Sequence, residues 1–185
     1  MLVGKVCDQL TKFHLTLWRE DVTEVSALDL GEDWRQCPSF LSLTDLSVKC
    51  EVYVEFLPEQ VFEFFMQQCR HMRTVQFIGP IDWIVHADIV DVMDNNSLEH
   101  LEVFILSNTA LELMFLGLDT VHLLLDKCPC LVGLGDLKTW RRIDYYDPDS
   151  PMFYKNDSAF MKLRKYAQES NWEIDFDIEN CDNFR

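Results

Sequence analysis

The chain has 185 residues, enough for one domain or one compact array of repeats, and its 48% hydrophobic fraction can fill a continuous core. Thirteen Phe and five Trp exclude a disordered chain, which lacks large apolar side chains to bury, and six Gly and six Pro leave little room for flexible linkers. The formal net charge is -16, and Glu51 to Asp136 holds 14 Asp/Glu against three Lys/Arg, so phosphate backbones and anionic lipid heads are repelled and a basic protein is the better partner.

The N-terminal residues 11–30 contain two strand-like runs, Phe13 to Trp18 and Val22 to Leu30, in which Leu15/Leu17 and Leu28/Leu30 alternate with polar residues. They read as a degenerate first repeat or a capping hairpin, so residues 1–36 are set apart as an N-terminal cap.

From residue 37 a frame recurs: a helix-like stretch, an anchor Cys or Asn, then apolar residues at fixed offsets. The fullest copy runs Val61 to Gln68, Cys69, then Met72, Val75 and Phe77. The next has Ile89, Val90, Val92 and Met93, the anchor Asn95, then Leu98, Leu101 and Val103. A third runs Val121 to Leu125, Cys128-Pro129, Leu131 and Leu134, and a headless copy begins at Cys37-Pro38 with Phe40 and Leu43. The anchors 37, 69, 95 and 128 are spaced by 32, 26 and 33 residues, so two spacings exceed the roughly 20–29 residues of a leucine-rich repeat.

Within each copy the apolar period is three to four before the anchor and approaches two after it, so a helix gives way to a strand. One such unit cannot bury its own apolar face, whereas stacked units form a parallel sheet backed by helices. The expected fold is therefore α/β: a short leucine-rich-repeat solenoid over residues 37–140 with atypical capping ends. Each anchor Cys is expected to close a helix and pack inward as a small hydrophobe.

Residues 141–185 form the expected C-terminal cap. A turn-rich loop, Asp147-Pro148-Asp149-Ser150-Pro151, leads to Asp157 or Ser158 capping a helix to about Glu169, with Phe160, Leu163, Tyr166 and Ala167 on its apolar face. Trp172, Ile174 and Phe176 then alternate with Glu173, Asp175 and Asp177, as in an edge strand with one wet face.

The stretch Phe64-Phe65-Met66-Gln67-Gln68-Cys69-Arg70-His71-Met72-Arg73-Thr74-Val75 resembles the cysteine-containing repeat of F-box proteins, as does Leu123 to Leu134 around Cys128-Pro129-Cys130-Leu131. With Gly135-Asp136-Leu137-Lys138-Thr139-Trp140, Leu163-Arg164 and Asn171 to Phe176, the tail is similar to the C-terminal end of arthropod F-box/leucine-rich-repeat proteins, over about residues 58–177. The resemblance implies the substrate-recognition part of an SCF-type ubiquitin ligase. A Skp-type adaptor and cullin become partners only if an F-box lies outside this chain or is degenerate within it. Leu57-Pro58-Glu59-Gln60-Val61-Phe62 resembles an F-box opening, but Cys69 through Phe77 fits a repeat strand better than further F-box helices.

No enzyme motif stands out, and no cofactor is expected. His14, His71, His86, His100 and His122 lack the His-Glu-x-x-His spacing of a zincin, and no nucleophile elbow or phosphate loop occurs. Asp175-x-Asp177-x-Glu179 lacks the sixth-position glycine of a calcium loop, which here is Asn180. Cys128-x-Cys130 is expected to be a buried structural pair rather than a metal site. The seven cysteines, odd in number and without Cys-x-x-Cys, together with an N-terminus unlike a signal peptide and no apolar span, indicate a reducing cytoplasmic or nuclear setting. The sequons at Asn95 and Asn156 then read as chance matches.

The expected site is the exposed sheet face, a protein-binding surface of Thr74, Gln76, Ile78, His100, Glu102 and Phe104. This follows if Met72, Val75 and Phe77, then Leu98, Leu101 and Val103, point inward. The rival register in the second strand buries Phe104 and Leu106 and exposes Val103 and Ile105. Two other readings compete with a binding module: a small doubly wound α/β enzyme, which would need polar groups converging at the carboxyl ends of its strands, and a structural remnant without a ligase role.

Overall fold

The computed structural model describes residues 9–17, 40–50, 59–110, 116–140 and 175–176. These build one six-stranded sheet: β1 (Lys12–Leu17), β2 (Asp45–Cys50), β3 (Thr74–Gly79), β4 (Val103–Asn108), β5 (Gly133–Gly135) and β6 (Asp175–Phe176). The strands lie side by side in chain order, and every neighbouring pair is parallel. Helices α1 (Glu59–Gln68), α2 (His86–Asn95) and α3 (Leu118–Lys127) fill three of the crossovers, since parallel strands require a long return connection. α1 touches α2 and α2 touches α3, so the three form one layer against one face of the sheet. The molecule is thus α/β with a parallel sheet. None of its described helices is long and apolar enough to cross a membrane.

Strand register measures the repeat better than the anchors do. Lys12 pairs with Asp45, Asp45 with Thr74, Thr74 with Val103 and Val103 with Gly133, steps of 33, 29, 29 and 30 residues. A backbone pattern recurs at each step, just before the strands. The amides of Thr44 and Asp45 both donate to the Thr11 carbonyl, and those of Arg73 and Thr74 to Thr44. Those of Glu102 and Val103 donate to Arg73, and those of Val132 and Gly133 to Glu102. A single carbonyl thus serves two donors of the next unit and passes the register on without a side chain.

The core lies between sheet and helices. Leu46, Val75, Phe104 and Leu134 form one inward row and Val48, Phe77 and Leu106 the next. Three residues before the first row stand Leu43, Met72, Leu101 and Leu131, all buried. Phe62, Phe65 and Met66, at helical spacing, turn α1 onto this core. Phe65 meets Phe13 and Phe40 at centroid separations of 5.4 and 5.7 Å, and Phe62 meets Phe77 edge-on at 5.2 Å. Trp140 closes the far corner. Its indole N–H donates to the Leu106 carbonyl at 3.0 Å, just past the last β4–β5 pair, Ile105 with Gly135.

The helix ends carry the anchors, with one correction. Cys69 and Cys128 follow α1 and α3, are buried, and donate their amides to Phe65 and Leu124. The equivalent residue after α2 is Asn96, not Asn95: the Asn96 amide donates to Val92, and its side chain is buried. Asn95 faces solvent and bonds only the Asp91 carbonyl one turn back. Burial pushes the Cys69 and Cys128 thiols up to about 12, because a thiolate there would lose its water. Cys130 is exposed, so Cys128-x-Cys130 is not a buried pair.

At the ends, Phe13 to Leu17 of the first expected run lie in β1, which joins the sheet parallel to β2. Val22 to Leu30 and the helix expected at 157–169 lie outside the described residues. Of the expected edge strand, Asp175 and Phe176 form β6 beside β5, and Trp172 to Ile174 lie outside the described residues.

Candidate functional site

The sheet face turned away from the helices is the surface on which β1 to β4 present their second set of side chains. β3 behaves as its alternation requires: Val75 and Phe77 are buried inward, leaving Thr74 and Ile78 half-exposed on the other face with Gln76 between them. Gln76 is only 4% exposed, and its Oε1 accepts from the Ser47 hydroxyl of β2 at 3.2 Å.

β4 departs from the expected face. Phe104 pairs in register with inward Val75 and is fully buried in the main core with Leu106. The rival register is right in burying Phe104 and Leu106, so Phe104 is no part of the surface, but not in exposing Val103 and Ile105. The cause is that Val103-Phe104-Ile105-Leu106 is apolar on both faces, so its own period is uninformative, and parallel pairing with β3 fixes the phase. Val103 and Ile105 lie on the other face, where they form a small cluster apart from the main core, yet they are only 4% and 0% exposed. Beside them β5 contributes only the buried Gly133 and Gly135, which bring no side chain. The accessible part of this face is therefore the β1–β3 side, where Lys12, His14, Thr16 and Lys49 are exposed.

The other two expected residues, His100 and Glu102, are not on the strand. They lie in the connection just before β4, on the lip of the sheet from which every strand departs. Each meets its counterpart in the preceding unit. His100 stacks on His71 with ring centroids 6.0 Å apart and planes inclined by 25°. Glu102 accepts from Arg73 Nε and Nη2 at 2.9 and 2.6 Å, a fork that holds the guanidinium pKa above its ordinary value. Both sets are solvent-exposed, so their stabilisation is small and screened by salt. The exposed large hydrophobics Leu41 and Val132 lie on this same lip, just ahead of β2 and β5. The lip thus runs from an apolar side chain through Arg70, His71 and Arg73, then Glu99, His100 and Glu102, to a second apolar side chain.

No family model, curated protein or solved structure matches this chain. Its chemistry must accordingly be read from the geometry.

Charge is divided unevenly between the two faces. Exposed Asp91, Asp94, Asp119 and Asp126 belong to α2 and α3. The charged residues on the other face of β1 to β4 are Lys12, Lys49 and Asp45. Among the described residues, the exposed helix surface is thus acidic, whereas the second set of side chains on the sheet carries two Lys and one Asp. Where α2 and α3 begin, His86 Nδ1 lies 2.9 Å from the buried Thr120 hydroxyl and 3.6 Å from Asp119. This arrangement joins the starts of two helices, and the Thr120 hydroxyl it holds is buried. Sequence reasoning missed Arg73, His71 and the exposed Leu41 and Val132. The signal for the first two was their spacing of 29 residues from Glu102 and His100, the same as from β3 to β4.

Proposed function

We propose that this chain is a protein-binding module built as a short leucine-rich-repeat solenoid, and that its partner sits on the β1–β3 part of the open sheet face and the adjoining lip. What carries this reading is the repetition itself: strands in chain order, steps of 29–33 residues, and the same two-amides-to-one-carbonyl contact at four successive junctions. Such an array sheathes one face with helices and leaves the other to a ligand. Lys12, His14, Thr16, Lys49, Thr74 and Ile78 supply short polar groups, two ammonium groups and one apolar patch, and the lip adds Leu41 and Val132. Surfaces of mixed character with a few apolar anchors suit a protein ligand.

The likeness to F-box/leucine-rich-repeat proteins makes that ligand a ubiquitin-ligase substrate, with this chain as the recognition part of an SCF-type receptor. Docking of a Skp-type adaptor and cullin is assigned to no residue here. A basic region of the partner would lie against the acidic helices rather than the sheet face.

The reading is tested by capturing partners from cells with the wild-type chain and two variants, each checked for folding by circular dichroism. Thr74→Arg with Ile78→Arg should abolish the main interaction, while Asp91→Arg with Asp126→Arg should keep it. If the face variant recovers the same partners at the same level, the face is not the site. Recovery of the adaptor and cullin with the wild type supports ligase membership; recovery of a substrate without them leaves a binding module and removes the ligase.

A further inference from the structure

The stacked pair on the lip has a chemistry that protein binding does not use. His71 and His100 occupy the same place in successive units, three residues before β3 and β4. Their rings face each other at 6.0 Å, on backbone joined just beside them by the Glu102 and Val103 amides donating to the Arg73 carbonyl. Two imidazoles on one tetrahedral metal hold their centroids roughly 5 Å apart, given metal–nitrogen distances of about 2.0–2.1 Å. The observed separation is about 1 Å from that, and since imidazole nitrogens donate in the ring plane, both exposed side chains must turn out of the stack for their nitrogens to meet one ion. Each ring would use one nitrogen and keep the other for a partner. The Glu99 carboxylate stands 3.7 Å from His100 Nε2 and could hold that ring's free N–H, as carboxylates commonly do behind a metal-bound histidine.

We propose that His71 and His100 form a two-histidine clip for a divalent transition metal on the lip of the sheet, water completing the coordination. As the side chains stand, no three His, Cys, Asp or Glu groups of the described residues converge on a metal, which makes this a two-ligand site and not a closed structural one. Cys130 occupies the next place in the same row, three residues before β5. It is exposed and free, so a thiophilic ion could recruit it as a third ligand. Imidazole donors select zinc, nickel or copper over magnesium and calcium, which prefer oxygen. An ion here would bridge the units of β3 and β4, as the Arg73–Glu102 pair does beside it. The clip stands independently of the protein-binding reading.

The test follows the imidazole resonances of the full chain by NMR as Ni2+ is added, and repeats the titration calorimetrically with Zn2+. His71 and His100 should broaden first and together, while His14, His86 and His122 respond later. His71→Ala and His100→Ala should each weaken Zn2+ at this site at least tenfold, and Mg2+ in excess should not compete. Both residues are exposed, so neither variant threatens the fold. Early broadening of the other histidines, or unchanged Zn2+ affinity in both variants, would overturn the clip. A Cys130→Ser variant that binds Zn2+ like the wild type confines the ligands to the two imidazoles, whereas a further loss adds the thiolate to them.

Discussion

At the scale of single residues, the helix ends contain the most consequential polar group. Asn96 Nδ2 donates to the Met66 carbonyl at 2.6 Å and to the Cys69 carbonyl at 3.1 Å. A side chain of one unit thereby caps the helix end of the previous one, where carbonyls lack intrahelical donors. Its own Oδ1 is buried without a hydrogen-bond partner, which offsets part of the gain. Asn96→Ala should therefore cost roughly 2 kcal/mol net, since two buried carbonyls lose their donor while one unpaired acceptor is removed. Asn95→Ala, at the exposed neighbour, should change urea-unfolding stability by less than about 0.5 kcal/mol. Equal effects at the two positions would contradict the assignment of the anchor. The thiols of Cys69 and Cys128 make a second prediction. Both have folded-state pKa values raised from 9.0 to about 12, so above pH 9 the unfolded chain releases protons that the folded one keeps. Stability from these groups is fully present below pH 9 and falls as pH rises towards 12. Chemical denaturation at pH 8 and pH 10.5 should show this loss, and replacing both cysteines by Ala should flatten the slope.

At the scale of elements, what could be read from the chain depended on whether a segment contrasts its two faces. β3, Thr74-Val75-Gln76-Phe77-Ile78, alternates polar with apolar, and its orientation is legible directly. β4 offers four apolar residues in a row and is not, so only the pairing of Val75 with Phe104 resolves it. The helix stripe carried more information than the anchor spacing used. Ile89, Val92 and Met93 lie three and four apart, and continuing that stripe reaches Asn96, not Asn95. The uneven anchor intervals have a local cause as well. From Cys69 to inward Val75 and from Cys128 to inward Leu134 is six residues, but from Asn96 to Phe104 it is eight. The longer link passes through Leu98 at a positive φ of 41°, a conformation few side chains adopt. What lay beyond the sequence was the lip, because the meeting of His71 with His100 and of Arg73 with Glu102 needs the strand register. A paired substitution tests the orientation of β4 against that of β3: Phe104→Ala should destabilise by about 3–5 kcal/mol, as emptying a core aromatic site does. Ile78→Ala, half-exposed on the other face, should lose far less. The reverse order in thermal unfolding would place Phe104 outside.

At the scale of the whole molecule, the described strands present Lys12, Lys49 and Asp45 on the face where the exposed Asp residues of α2 and α3 do not point. The relay of carbonyls along Thr11, Thr44, Arg73 and Glu102 has a mechanical consequence. By these backbone bonds each of the described strands is fastened to its immediate neighbours in the sheet. A tension applied to the two termini is thus borne at one junction at a time, and the sheet should peel rather than shear. Held between optical traps, the protein should lengthen in a ladder of small rips. Rips at the three junctions from β2 to β5 would each release about 29 or 30 residues, roughly 100 Å of contour at 3.3–3.6 Å per residue. A single rip freeing the whole chain would mean that the units yield as one body.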